Sequence, residues 1–140
     1  VFDMTRYMNR IINVSDDGGF VICEPGVVLD EVNNRLAEYG RKIGPDPSSS
    51  NRATIGGCVA NNSTGAHSLQ YGYIGDYVES IEAVLADGST VEFRNNFDPL
   101  TEQDEKLTSI GKQCLAVLSE GQDIIANALP KTSRNRPCYC

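Results

Sequence analysis

The 140-residue sequence predicts an α+β fold with a mainly antiparallel sheet flanked by helices. Two hairpin patterns indicate the strands: in each, a pair of β-rich runs encloses a short turn rich in Asp and Gly. Apolar residues at helical spacing indicate the helices, and a segment with this spacing follows each pair of β-rich runs. The predicted order is two strands, a helix, a long irregular segment, two strands and a second helical region.

The first hairpin is predicted over residues 10–24. The β-rich runs 10–15 and 20–24 flank Asp16-Asp17-Gly18-Gly19. Asp and Gly tolerate the positive φ angles that tight hairpin connections require. We therefore expect an antiparallel pair here.

The second hairpin is predicted over residues 77–94, around the turn Asp87-Gly88. In its second arm, Val91 and Phe93 alternate with polar residues. This alternation is typical of a strand with one face against a core.

The helix prediction is strongest between Leu29 and Tyr39. Apolar residues recur there at helical spacing, acidic residues occupy the first turn, and Gly40 follows the end. A second helical face is formed by Leu107, Ile110, Cys114, Leu115 and Leu118. Gly121 interrupts this region, and a further apolar run continues up to Pro130.

The charge balance argues against two classes of partner. The chain has 12 Lys and Arg residues against 19 Asp and Glu residues, a net charge of -7. An acidic surface repels nucleic acid and anionic lipid, so neither is an expected partner. The sequence also has no apolar stretch long enough to span a bilayer, and no signal-peptide pattern. A phosphate-bearing cofactor is still compatible, since backbone N–H groups can bind phosphate without lysine.

Five cysteines, an odd and scattered set, favour reduced thiols and a cytoplasmic location over a disulfide framework. Cys138 and Cys140 have too tight a spacing for the usual zinc site, and no second Cys/His pair accompanies them. We interpret them as two thiols near the end of the sequence and predict no metal site. The sequence starts at Val1 inside an apolar segment, which suggests a piece of a longer chain.

The chemistry-bearing part of the sequence is the irregular segment 44–75, which is rich in Gly, Pro, Ser and Asn. Long irregular segments in compact domains are usually functional or disordered. Thr54 is a candidate N-cap of a short helical turn, and Gly56-Gly57 lets the backbone approach another surface closely. Free N–H groups at such a helix start suit a pyrophosphate. The residues alone leave a second interpretation open, in which these glycines only build turns.

Five sequence motifs occur in a fixed order and carry a family resemblance. They are Pro45-Asp46-Pro47-Ser48-Ser49, Ala53-Thr54-Ile55-Gly56-Gly57, Asn61-Asn62-Ser63-Thr64-Gly65-Ala66, Tyr71-Gly72 and Val84-Leu85-Ala86-Asp87-Gly88-Ser89. Together they resemble the FAD-binding domain of the vanillyl-alcohol oxidase / p-cresol methylhydroxylase family. The most similar branch is that of the FAD-linked oxidases, which includes D-lactate dehydrogenase and the glycolate oxidase flavin subunit.

The resemblance implies FAD as the cofactor and implies a set of contacts along it. Near the flavin ring or ribityl chain it places Pro47 and Ser48. At the pyrophosphate it places Thr54, Gly56 and Gly57. Further along the cofactor it places Asn62, Gly65, Ala66 and His67. The strand at the adenine end is implied to be Ile81 to Val84.

The resemblance does not imply a covalent flavin link here. Some family members tether flavin through His or Cys, but His67 and Cys58 do not occupy the usual tethering positions. We expect Cys58 to be a packing residue or non-covalent neighbour. We expect His67, the only histidine, to be a hydrogen-bonding residue of the loop. No catalytic residue is assigned.

Two parts of the family pattern have no counterpart in residues 1–140. One is an Arg-Gly-Gly-Gly-Thr-like loop that wraps the pyrophosphate, and the other is the substrate domain. We therefore expect a partial FAD-binding domain, the second subdomain of the p-cresol methylhydroxylase type, which is inactive alone. Its partners would be FAD and the rest of the parent chain, the first FAD subdomain and the substrate domain.

The implied activity is oxidation of a 2-hydroxy acid such as D-lactate or glycolate. One alternative is an FAD domain like that of UDP-N-acetylenolpyruvoylglucosamine reductase. The 2-hydroxy-acid branch is preferred because the Pro45-Asp46-Pro47 segment and the Asp87-Gly88 hairpin fit it better. Another alternative is a folded, non-catalytic module that binds no cofactor alone.

Overall fold

The computed structural model describes residues 3–128. They form two compact units, one within residues 3–77 and the other within 78–128. Cys138 and Cys140 lie outside the described residues.

The first unit begins with the predicted hairpin. Strand β1 (Ile11–Val14) pairs antiparallel with β2 (Val21–Cys23), and the register shifts between Ile11 and Asn13. The turn between the strands places Gly18 at a φ of 66°, a conformation that favours glycine. The sequence prediction of this hairpin is confirmed.

Helix α1 (Leu29–Ala37) follows, and Gly40 lies just beyond its end at a φ of 67°. Two of its first N–H groups bond to the long segment. The Leu29 N–H donates to the Ala53 carbonyl at 2.9 Å, and the Asp30 N–H donates to the Ser50 carbonyl at 3.2 Å. A helix start needs such partners, so α1 fixes the position of this part of the segment.

The long segment is less irregular than the sequence predicts. It contains α2 (Ile55–Ala60), α3 (Ser68–Tyr71) and a 3-10 helix (Ile74–Tyr77). Only α2 is predicted, because its cap and glycines are visible in the sequence. Elements of four residues are too short to show apolar periodicity.

The core of the first unit consists of two clusters of buried side chains. One contains Val27, Val32 and Leu36, and the hairpin packs against it. The other contains Leu29, Cys58 and Ile74, which brings together α1, α2 and the 3-10 helix. Burial of these apolar side chains therefore fixes the segment that carries the predicted site.

The second unit begins with β3 (Ser80–Val84) and β4 (Thr90–Arg94), paired antiparallel without a register shift. Gly88 lies in the turn at a φ of 82°. Helix α4 (Glu105–Glu120) starts at Asp104, whose side chain accepts the N–H groups of Lys106 and Leu107. Helix α5 (Gln122–Ala128) follows the break at Gly121.

The α+β class and the antiparallel pairing are confirmed, with one correction within residues 3–128: the strands form two separate two-stranded sheets. The apolar face of α4 is only partly buried, since Leu107 is buried but Leu115 and Leu118 are 47% and 56% exposed. No helix among these residues has the length and apolar character needed to cross a bilayer.

Candidate cofactor site

The start of α2 has the geometry that the sequence predicts. Thr54 has extended backbone angles, and its hydroxyl oxygen accepts the N–H of Gly57 at 3.3 Å. This is the ordinary arrangement of an N-cap. Thr54 and Gly57 are therefore in direct contact.

The backbone of this helix start differs from the prediction of free N–H groups. The Ile55 N–H donates to the Val27 carbonyl and the Gly56 N–H to the Pro25 carbonyl, both at 2.8 Å. With Gly57 bonded to Thr54, the first turn is satisfied inside the unit. The prediction is wrong because it considers the helix alone, whereas the chain at residues 25–27 supplies acceptors for it.

The glycines of the site have different spatial surroundings. A Cβ atom at Gly56 would lie 2.6 Å from the Cβ atom of Pro25, and one at Gly65 would lie 2.1 Å from the carbonyl oxygen of Asp46. Both glycines are therefore required by the packing of the chain on itself. A Cβ atom at Gly57 would meet only the Thr54 hydroxyl, at 3.1 Å. Gly57 is exposed, so another molecule has room to approach its backbone, although its N–H bonds to Thr54 and its carbonyl accepts the Asn61 N–H.

Asn62 shapes the backbone of the loop. Its φ angle is 44°, the one positive φ at a non-glycine residue between residues 3 and 128. Its side-chain oxygen accepts the N–H of Gly75 at 3.1 Å. The side-chain oxygen of Asn62 is thus engaged within the unit.

His67 is held by Asp46, a residue that the sequence analysis did not select. One carboxylate oxygen accepts the His67 backbone N–H at 3.1 Å, and the other bonds to the ring nitrogen Nδ1. The bond to the His67 ring has the larger effect and the bond to the His67 backbone N–H the smaller, and both lower the pKa of Asp46. The expected role of His67 as a hydrogen-bonding residue of the loop is confirmed. The available sequence signal for Asp46 is its place between Pro45 and Pro47, which restrict the backbone.

Cys58 lies in the core and is 2% exposed. It packs with Leu29 and Ile74, and burial raises the pKa of its thiol. A protonated thiol is a poor nucleophile. The expectation that Cys58 is a packing residue is confirmed.

The other predicted site residues lie in both units. In the first unit, Pro47 is half-buried, and Ser48 and Ala66 are exposed. Ile81 lies in the second unit, on β3, where it pairs with Phe93. Within residues 3–128, no group of His, Cys, Asp and Glu side chains has a metal-binding arrangement.

The first unit thus combines a capped Gly-Gly helix start with an exposed glycine that leaves room for another molecule near its backbone. Residues 1–94 match the family described as "FAD binding domain". Since the match covers more than half of the sequence, the chain belongs to this family. FAD is accordingly the cofactor of this class of domain, and the sequence resemblance to the vanillyl-alcohol oxidase / p-cresol methylhydroxylase family is confirmed.

Known proteins with similar sequence or structure match different fractions of the chain. A D-2-hydroxyglutarate dehydrogenase of Pantoea ananatis is 34% identical over 138 residues, which are 96% of this chain and 14% of that protein. The glycolate oxidase subunit GlcD of Bacillus subtilis is 35% identical over 86 residues, which are 61% of this chain and 18% of that protein. A solved structure of alkyldihydroxyacetonephosphate synthase matches with a TM-score of 0.58 and 33% identity, over 69% of this chain and 17% of that one. The chain therefore spans less than a fifth of each of these proteins.

Proposed function

We propose that this chain supplies part of the FAD-binding surface of a flavin-dependent dehydrogenase that oxidises a 2-hydroxy acid such as D-lactate or glycolate. The names of the dehydrogenase and oxidase relatives support this substrate class. Bound FAD would supply the two-electron acceptor, and these residues would bind and orient it. Because the family likeness extends to a synthase, the fold indicates the cofactor, whereas the substrate class is inferred from the names of the dehydrogenase and oxidase relatives.

The observation that carries the proposal is the open backbone at Gly57. Its neighbour Gly56 is required by contact with Pro25, whereas nothing but the Thr54 hydroxyl approaches a Cβ atom at position 57. The bond between the Gly57 N–H and that hydroxyl is long, at 3.3 Å. A charged phosphate oxygen is a stronger acceptor than a hydroxyl, so it would compete with Thr54 for this N–H. We assign the pyrophosphate contact to Thr54 and Gly57.

The remaining assignments divide by exposure. Ser48, Ala66 and His67 are exposed and would contact the cofactor directly. Pro47 and Ser48 are assigned to the flavin ring or ribityl chain. Residues that instead shape the backbone around these contacts are Gly56, Asn62 and Gly65. Ile81, on β3, is assigned to the adenine end.

The proposed domain is residues 1–140 as part of an FAD-binding domain in a longer enzyme. Oxidation of a hydroxy acid needs a base near the alcohol and a cationic clamp for the carboxylate. We assign neither to this chain and place both in polypeptide outside these 140 residues. A cytoplasmic location is proposed from the free thiols of Cys23, Cys58 and Cys114.

Titration of the ¹⁵N-labelled chain with FAD tests the proposal. We expect amide chemical shifts to change at Gly57 and across Gly65–His67 as FAD is added up to millimolar concentration. ADP, which keeps the pyrophosphate, should shift Gly57, and riboflavin, which lacks phosphate, should leave it unchanged. An absence of shifts with FAD would favour the alternative of a module that binds no cofactor, and shifts confined to other residues would contradict the site.

A further inference from the structure

Asp46 connects two parts of the proposed cofactor surface that are distant in sequence. Its carboxylate bonds to both the backbone N–H and the ring Nδ1 of His67, a residue 21 positions further along the chain. One side chain therefore holds the main chain and the imidazole of the same residue. A single bond to the ring would orient only the imidazole.

Close packing accompanies these bonds. A Cβ atom at Gly65 would lie 2.1 Å from the carbonyl oxygen of Asp46 and 2.4 Å from its carboxylate oxygen Oδ1. The backbone at Gly65 therefore crosses directly against Asp46, with no room for a side chain between them. The ring of His67 also meets the ring of Tyr71 edge to face, with 6.2 Å between centroids.

Asp46 is well suited to act as a fixed anchor. Pro45 and Pro47 lock their own φ angles, and Pro47 also restricts the backbone of Asp46. Pro45 is fully buried, which attaches this short segment to the body of the unit. The Asp46 side chain is 30% exposed, and the His67 bonds lower its pKa, so it is ionised at neutral pH and can accept both bonds.

We propose that Asp46 is a positioning residue for the FAD-binding surface: it holds the Gly65–His67 segment against the Pro45–Pro47 segment. The exposed Ala66 and His67 are thereby presented to the cofactor in one arrangement. This inference rests on the proposed function, since it assigns the order of this loop to FAD binding.

The test compares variants of the ¹⁵N-labelled 140-residue chain. Asp46→Ala removes both bonds, and Asp46→Ser replaces the two carboxylate oxygens that make them with one hydroxyl on a shorter side chain. Asp46→Asn keeps an acceptor for the His67 N–H and a group that can bond to Nδ1. Asp16→Asn, at an exposed carboxylate in the first hairpin turn, is the charge-matched control.

Two quantities are measured for each variant: amide hydrogen exchange at His67, and the FAD dissociation constant from the shift titration. We expect Asp46→Ala and Asp46→Ser to speed exchange at His67 about tenfold and to raise the dissociation constant about tenfold. Asp46→Asn and Asp16→Asn should stay within about twofold of the wild type in both. If Asp46→Ala does not fold, Asp46→Ser decides.

The results that overturn the inference differ from those that overturn the proposed function. If the wild type binds FAD and Asp46→Ser binds it equally well, Asp46 does not position the loop for FAD, and the proposed function stands. The same holds if Asp46→Asn weakens binding as much as Asp46→Ser, because the two hydrogen bonds are then irrelevant. If the wild type shows no FAD-induced shift, both proposals fail together.

Discussion

Gly56 lies so close to Pro25 that a Cβ atom at position 56 would come within 2.6 Å of the Cβ atom of Pro25. A Cβ atom at the adjacent Gly57 would have no such neighbour and would meet only the hydroxyl of the cap residue Thr54, at 3.1 Å. Two consecutive glycines are thus explained by different requirements. The first is needed by the fold, and the second leaves backbone open at the surface.

We expect Gly56→Ala to lower the free energy of unfolding by about 1–3 kcal/mol, the usual cost of forcing an atom into a packed site. Gly57→Ala should change it by less than about 1 kcal/mol, because the gain in helix propensity offsets the tight contact with Thr54. Urea unfolding of both variants measures the difference. An equal loss of stability in the two variants would contradict the assigned division of roles.

Lys106 fixes the turn of the second hairpin to α4. Its ammonium bonds to the Asp87 carboxylate and to the Ser89 hydroxyl. The bond from Lys106, and to a smaller extent the bonds from Ser89, hold the pKa of Asp87 well below its usual range. Because the folded pKa is depressed, ionised Asp87 contributes stability above its unfolded pKa of about 3.9, and this contribution is lost as the pH falls through the folded pKa.

We expect Lys106→Met to raise the titration midpoint of the Asp87 carboxyl, although it should stay below about 3.9 because Ser89 still donates to it. The carboxyl ¹³C shift of Asp87, followed through the acid range, gives this midpoint. Lys112→Met, at an exposed position on the same helix, is the matched control and should leave it unchanged. An unchanged midpoint in Lys106→Met would show that the ion pair is not formed in solution.

The elements that the sequence predicts well are those fixed by local chemistry. Gly18 and Gly88 have the positive φ angles expected of their turns, Gly40 follows α1 with the same conformation, and Thr54 caps α2. In each case the signal and its consequence lie within a few residues. Local steric and hydrogen-bonding preferences suffice there.

The features that the sequence does not predict depend on contacts between distant residues. The Gly56 N–H bonds to the Pro25 carbonyl, 31 residues earlier in the chain, and the Asp46 carboxylate holds His67, 21 residues later. A helix of four residues such as α3 has no apolar period to detect. The same limit explains why Gly57, rather than Gly56, could be selected as the open glycine only from the fold.

The 140-residue chain alone should bind FAD with a dissociation constant weaker than about 1 µM, a free energy of about -8 kcal/mol. It has the Gly56-Gly57 pair in the first turn of α2, and its sequence contains no Arg-Gly-Gly-Gly-Thr-like loop to contact the pyrophosphate from the other side. Each lost charge-assisted bond removes about 1.5–3 kcal/mol. Flavin fluorescence during titration measures the constant, and sub-micromolar affinity would show that these residues form a complete site.

We also expect no oxidation of D-lactate, L-lactate or glycolate by this chain with excess FAD. Its single histidine is bonded through Nδ1 to Asp46, and Arg52 is the only Lys or Arg between Gly44 and Gly75. A base and a carboxylate clamp must act together on one substrate, which these two residues alone do not provide. Dye-linked reduction with each acid is the assay. Turnover above the rate of free FAD would refute the assignment of catalysis to other polypeptide.

The claim that FAD approaches the exposed backbone at Gly57 is tested by FAD titration of two labelled variants, Gly57→Val and Ala60→Val. Both variants place the same branched side chain in α2, at exposed positions three residues apart. We predict that folded Gly57→Val binds FAD at least about tenfold more weakly than the wild type, because the side chain occupies the space the cofactor needs. Ala60→Val should remain within about twofold of the wild type. Wild-type affinity in Gly57→Val would contradict the claim.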